Sequence, residues 1–70
     1  MDLWVVPRRM GPLLRTFELY LHSDDDVTTF EPLTCMEEEV IPTVRRMIAE
    51  RGLASVEIHF MGKPELTIRR

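Results

Sequence analysis

The stretch "FELYLHSDDDVTTFEPL", residues 17–33, holds two strand-like runs separated by three consecutive aspartates. In the first run Phe17, Leu19 and Leu21 alternate with polar residues, the period-two pattern of a strand that buries one face. The second run starts at Val27 and is rich in β-branched and aromatic residues, which favour strands. The polar stretch between them predicts a hairpin with a four-residue loop at residues 23–26.

The register of this hairpin is predicted from the side on which each apolar residue lies. If Phe30 faces the same side as Leu19, these two residues pair. Leu33 is then out of phase, which a bulge or the end of the strand would explain. Pro32 has no N–H to donate, so the second strand is predicted to lie at an edge or to end near it. In this register Tyr20 is the one aromatic residue on the polar side.

The aspartates Asp24, Asp25 and Asp26 are predicted to form a solvated turn. Aspartate is favoured in turns because its side chain bonds to nearby backbone and because it tolerates left-handed geometry. A calcium loop needs spaced acidic residues, a glycine and a distal glutamate, and that pattern is absent from the sequence. We therefore predict no metal site.

A helix is predicted after the second strand. Thr34 and Glu37 fit a capping box, which places the start of the helix just after Thr34. Gly52 is positioned to end it in the left-handed conformation. The helix has one apolar stripe at helical spacing, formed by Met36, Val40, Val44, Met47 and Ile48.

Pro42 interrupts this helical pattern and leaves two alternatives. Inside a helix, proline removes one backbone hydrogen bond and produces a kink. Otherwise, residues 35–40 form a separate turn and the main helix starts near Pro42, because proline is well accepted in the first turn. We favour the kinked helix, because Ile41 is a poor N-cap.

A second strand pair closes the chain. "SVEIHF" (residues 55–60) and "ELTIR" (residues 65–69) both contain apolar residues at alternate positions. Their apolar sides match if Phe60 pairs with Leu66 and Ile58 with Ile68, and residues 62–64 are then either the whole connecting loop or its centre. The sequence thus predicts an α+β domain of ββαββ order. Its sheet is four-stranded and mostly antiparallel, with one helix packed on one face.

Residues 15–70 are predicted to form a single small domain, and residues 1–14 a poorly ordered N-terminal tail. No helical or strand period is visible around Pro7, Gly11 and Pro12. Two alternatives remain open for this segment. In the first alternative, Met10 is the physiological start. In the second, residues 4–6 either add an edge strand or contact a partner.

Composition restricts the function classes. The 70 residues carry a net charge of −3, whereas nucleic-acid-binding surfaces usually show a basic excess. No apolar run approaches the roughly 20 residues that span a membrane, and the N-terminus does not resemble a secretory signal. Cys35 is the single cysteine, which fits a reducing compartment. We expect a cytoplasmic protein that makes no membrane contact.

Four residues form the candidate site. Tyr20, His22, Glu57 and His59 alternate with the apolar positions, so they are expected on the sheet face opposite the helix. They are interpreted as a binding face for a protein or for a second copy of the chain; an ordinary solvated surface is the alternative. Since so small a domain is only marginally stable alone, association is a natural remedy.

Other activities have weaker signals. Cys35 and two histidines lack the spacing of a zinc site, and a cysteine–histidine pair needs spatial contact that sequence does not show. We therefore predict no catalytic residues, no cofactor and no enzymatic activity. Contact with nucleic acid through scattered arginines is the alternative function, although Glu18 and Glu57 would repel phosphate from the sheet face.

Three stretches together resemble short uncharacterised bacterial proteins: "RTFELYLHSDD" (residues 15–25), "TTFEPLTC" (residues 28–35) and "AERGLASVEIHF" (residues 49–60). Those proteins also have a strand pair, one helix ending at a glycine, and a closing strand pair. The resemblance covers residues 15–68, while Pro42 and the long N-terminus depart from the pattern. It implies the ββαββ order and no assigned activity, so it carries over no mechanism.

Overall fold

Residues 13–70, the part of the chain that the computed structural model describes, form four strands and one α-helix. The elements are β1 (Leu14–Ser23), β2 (Thr28–Met36), α1 (Val40–Arg51), β3 (Leu53–Phe60) and β4 (Lys63–Arg69). Leu14, which we assigned to the tail, is the first residue of β1. Residues 1–12 lie outside the described residues, and so do the alternatives proposed for Met10 and residues 4–6.

The four strands form one sheet in the order β2-β1-β3-β4, and every neighbouring pair is antiparallel. The predicted ββαββ fold with one helix on a four-stranded antiparallel sheet is confirmed. Pro32 lies in β2, which is an edge strand as predicted. An edge strand has a neighbouring strand on one side only, so it tolerates a residue without an N–H better than a central strand does.

The predicted register of the first hairpin is wrong by one residue. Tyr20, not Leu19, pairs with Phe30, and Phe17 pairs with Leu33. Because side chains alternate, this register turns Phe30 away from the helix and brings Leu33 and Cys35 to the helix side. Cys35 is buried in the core and Leu33 packs against it. No bulge is then needed to explain Leu33.

The start of the helix also differs from the favoured prediction. Thr34 belongs to β2, and its Oγ1 lies 2.9 Å from Oγ1 of Thr16 on β1. A 3-10 turn, Glu37–Glu39, follows, and α1 begins at Val40. Pro42 therefore lies in the first turn, where backbone N–H groups have no partner within the helix. The capping box and the single kinked helix were wrong. The alternative of a separate turn before the main helix is correct in outline, but the turn is shorter than residues 35–40 and the helix starts two residues before Pro42.

Two tight turns require left-handed backbone. Gly52 ends α1 in the left-handed conformation with φ 67°, as predicted, and its N–H donates to the carbonyl of Ile48. Met61 and Gly62 connect β3 to β4 with φ 54° and 79°, the signs of a two-residue type I′ hairpin turn. The loop is thus Met61–Gly62, and the prediction that residues 62–64 form the whole loop or its centre was wrong.

The register of β3 and β4 follows from that turn. Ile58 pairs with Leu66 and Val56 with Ile68, so the apolar sides match although both predicted pairs are displaced. The register shifts between Ile58 and His59, which leaves Glu65 as the extra residue of a bulge.

The core lies between α1 and the face of the sheet that we call the inner face. Leu19, Val44 and Val56 are completely buried. Burying a side chain of this size contributes about 1.5–3 kcal/mol relative to leaving it exposed. The core of residues 13–70 contains Phe17, Leu19, Leu21, Cys35, Val40, Val44, Ile48, Leu53, Val56, Ile58 and Ile68.

The helix has 12 residues and buries Val40, Val44 and Ile48, three members of the predicted stripe. Met47 is partly buried and packs against the core. In residues 13–70 no helix has the length and apolar character needed to cross a membrane.

Candidate functional site

The candidate site lies on the outer face, which we define as the side of the sheet opposite α1. Residues at alternate positions of β1, β2 and β3 point to this side because their neighbours point to the core. The outer face contains Glu18, Tyr20, His22, Thr28, Phe30, Glu57 and His59. All four predicted site residues are therefore brought together on one surface.

Two histidines converge on one carboxylate at the centre of this face. His22 Nε2 lies 3.0 Å from Glu57 Oε2, and His59 Nε2 lies 3.2 Å from Glu57 Oε1. An ionised carboxylate only accepts hydrogen bonds, so both Nε2 atoms donate to it. On its other side, His22 Nδ1 lies 3.0 Å from the Thr28 hydroxyl, which holds the ring orientation.

These bonds stabilise the ionised form of Glu57. The hydrogen bond from His59, followed by that from His22, lowers the pKa of the Glu57 carboxyl below its ordinary value. Glu57 is half-buried, and both histidines are less exposed than it is. The outer face thus has a fixed negative group flanked by two ring donors.

An aromatic cluster lies beside these polar groups. The Tyr20 ring lies between Phe30 and His59, with centroid distances of 5.4 Å to Phe30 and 4.7 Å to His59. Phe30 remains 53% exposed. The prediction that only one aromatic points outward was wrong, because the register of β2 turns Phe30 to this side. In the sequence, only the spacing of Leu33 and Cys35, which puts both on the side of the strand opposite Phe30, indicated that Phe30 points outward.

Glu18 extends the outer face toward the β3–β4 turn. Its Oε1 accepts a hydrogen bond of 3.1 Å from the backbone N–H of Gly62. This bond holds the turn against the sheet, so Glu18 has a structural partner as well as a place on the surface.

Cys35 is separated from both histidines by the sheet. It lies on the inner face, buried, whereas His22 and His59 lie on the outer face. Burial, and secondarily the charge of Glu39, raise the pKa of the thiol. The arrangement gives no cysteine–histidine nucleophile pair, and Cys35 acts as a small core residue.

The aspartate loop is held by ordinary turn contacts. Ser23 Oγ accepts hydrogen bonds from the backbone N–H groups of Asp25 and Val27, and Asp26 has φ 61°. Asp24 makes a bidentate ion pair with Arg70, with both distances 3.0 Å. Within residues 13–70 no three histidine, cysteine, aspartate or glutamate side chains are grouped so as to hold a metal ion.

Two grooves lie along the helix side of the sheet, and sequence reasoning identified neither. The first, of about 210 Å³, is lined by Arg45 of α1 and by Ile68, Arg69 and Arg70 at the end of the chain. It brings Arg45 together with Arg69 and Arg70, which are distant from it in sequence. Arg70 is also paired with Asp24, as described above.

The second groove, of about 260 Å³, lies between the start of α1 and β4. Its lining is mostly apolar, with Val40, Ile41 and Leu66 among the residues that form it. Two carboxylates, Glu37 and Glu65, also lie along it.

Comparison with known proteins found no match to this chain among protein-family models, curated proteins or solved structures. The resemblance to short bacterial proteins therefore stays a prediction.

Proposed function

We propose that this chain is a cytoplasmic, non-enzymatic protein-binding domain that associates through the outer face, with a second copy of itself as the first partner to test. The aromatic cluster of Phe30, Tyr20 and His59 carries this proposal. Exposed aromatic side chains next to one another are enriched at protein interfaces and supply much of their binding energy.

The polar groups beside the cluster support recognition of protein. Glu57 and the two histidines are held in place by each other and by Thr28, so little side-chain freedom is lost when a partner binds. A partner with complementary donors and acceptors around an apolar centre would fit this arrangement.

The size of the grooves favours a protein partner over a small substrate. The volumes of about 210 and 260 Å³ lie below the roughly 300–1,000 Å³ typical of small-molecule sites. The outer face is a surface of a sheet, which suits a broad contact.

Sedimentation equilibrium over a range of protein concentrations tests the proposal. We expect a concentration-dependent dimer, and Phe30→Ser is expected to weaken it by about tenfold or more, the usual effect of losing an aromatic hot spot. Leu66→Ser is the matched control, because Leu66 is 45% exposed but belongs to β4 on the helix side. It should leave the dimer unchanged.

Two results would contradict the proposal. One is a monomer at all concentrations that also captures no protein from its native lysate. The other is a dimer that Leu66→Ser weakens and Phe30→Ser does not.

Contact with nucleic acid is the second candidate, and the groove with Arg45, Arg69 and Arg70 favours it. If phosphate contacts drive binding, the affinity for a short RNA or DNA falls steeply as salt rises. Arg45→Ala and Arg69→Ala would then weaken binding, whereas Phe30→Ser would not. Absence of binding at low salt would exclude this candidate.

A further inference from the structure

The apolar groove between α1 and β4 has an incompletely covered lining. Ile41 is 39% exposed and Leu66 is 45% exposed, while Phe17 and Ile58 beneath them are buried. Removing branched aliphatic surface from water is favourable. Glu65 and Glu37 add negative charge along the same groove, part of which is offset by Arg15, whose guanidinium lies 3.8 Å from the Glu37 carboxylate. The groove therefore suits a segment that combines bulky apolar side chains with positive charge.

We infer that this groove binds the chain's own N-terminal segment, residues 3–9, "LWVVPRR". Trp4 and its valine neighbours supply the apolar side chains, and Arg8 and Arg9 supply charge opposite to that of Glu37 and Glu65. The inference concerns the helix side of the sheet, so it is independent of the proposed role of the outer face.

The length of the chain permits this contact within one molecule. Leu14 begins β1, and Phe17, which lines the groove, lies three residues further, about 10 Å along a strand. The seven residues 7–13 span at most about 24 Å when extended. Residues 3–6 can therefore reach the groove of their own chain.

The volume of the groove limits what it binds. At about 260 Å³ it has room for one large side chain and little more. Trp4 is the largest side chain available in the segment. We therefore place Trp4 in the groove, with Arg8 and Arg9 beside the carboxylates.

Tryptophan fluorescence of the full chain tests this inference, because Trp4 is the single tryptophan. We expect the folded protein to emit at shorter wavelength than the same protein in urea. Its quenching by acrylamide should be several-fold weaker, at every protein concentration. Leu66→Glu and Ile41→Glu should each shift the emission and the quenching toward those of the unfolded chain. Phe30→Ser is the control and should change neither.

A charge exchange gives a second measurement. Replacing Glu37 and Glu65 with arginine should increase quenching, and adding Arg8→Glu and Arg9→Glu should restore protection. Circular dichroism establishes that each variant is folded before its fluorescence is compared.

Three outcomes would overturn the inference. Emission of the unfolded type from the folded wild type would show that Trp4 is not covered. Protection that rises with protein concentration would assign the groove to the segment of a second copy. Protection that survives Leu66→Glu and Ile41→Glu, or that is lost in Phe30→Ser, would place Trp4 elsewhere.

Discussion

Tyr20 of β1 and His59 of β3 contact each other edge to face on the outer face, with ring centroids 4.7 Å apart. They are diagonal neighbours, since Tyr20 pairs with Glu57 and Glu18 pairs with His59. Diagonal positions lie within reach of aromatic side chains. His22 and Glu57 repeat the same diagonal, with His22 paired to Ser55. The register of the two central strands thus produces both parts of the candidate site, the ring contact of Tyr20 with His59 and the hydrogen bond of His22 to Glu57.

Glu57 should contribute to stability in a pH-dependent manner. Its pKa is lowered in the folded state. At pH values between the folded-state and the unfolded-state pKa, the unfolded chain therefore binds more protons at Glu57 than the folded chain does. The contribution is therefore present above the unfolded-state pKa of about 4.3 and is lost as pH falls through the lower folded-state value. Glu57→Gln should be less stable than wild type at pH 7, with the difference shrinking in strong acid. Urea unfolding at a series of pH values measures this, and a difference that grows toward low pH would refute it.

Gly52 should be required for its left-handed backbone. Its φ is 67°, and among the described residues nothing lies within 4 Å of an added Cβ, so the cost of substitution is conformational. Gly52→Ala should lower the free energy of unfolding by about 1 kcal/mol, the usual cost of this conformation for an L-residue. Gly52→Asn is the control, since asparagine tolerates the conformation better. Urea unfolding should rank glycine above asparagine and asparagine above alanine, and equal stabilities would contradict the assignment.

Leu19 should be critical for folding. It is completely buried between the sheet and α1, so Leu19→Ala leaves a cavity and should cost about 2–5 kcal/mol. That is a large part of the total stability of a small domain. The loss is measured by thermal unfolding followed by circular dichroism. Val27→Ala is the control, because Val27 is 56% exposed in the first hairpin and should change stability by about 0.5 kcal/mol or less. Equal losses for both variants would contradict the described core.

The aspartate cluster should behave as a turn. Asp24 and Arg70 are both exposed, so Asp24→Asn should cost no more than about 1 kcal/mol. Calcium or EDTA should leave the melting temperature unchanged. A rise in melting temperature on adding calcium, abolished by Asp24→Asn, would show that the loop binds metal.

Much of the fold followed from local patterns. The alternation of Phe17, Leu19 and Leu21 indicated both the strand and its buried side. The same parity argument placed Tyr20 and His22 on the opposite side, as the structure shows. Gly52 was recognisable as the end of the helix because it directly follows a segment with apolar residues at helical spacing, and helices commonly end at a glycine.

The errors occurred where a local pattern had two phases. In the second strand Phe30 is out of phase with Leu33 and Cys35, and alternation alone does not decide which phase is buried. The wrong choice hid the outward position of Phe30 and with it the aromatic cluster. Similarly, the capping-box pattern at Thr34 was compatible with a helix start, but Thr34 pairs with Thr16 in the sheet.

The sequence by itself determined the order of the elements, which side of each central strand is apolar, and the end of the helix. These depend on residues close together in the chain. Only the tertiary structure decided the register of both hairpins, the convergence of His22 and His59 on Glu57, and the grooves beside α1. Those features depend on which distant residues share the core. Leu33 and Cys35 face the core and Phe30 does not, and this depends on how the whole domain packs.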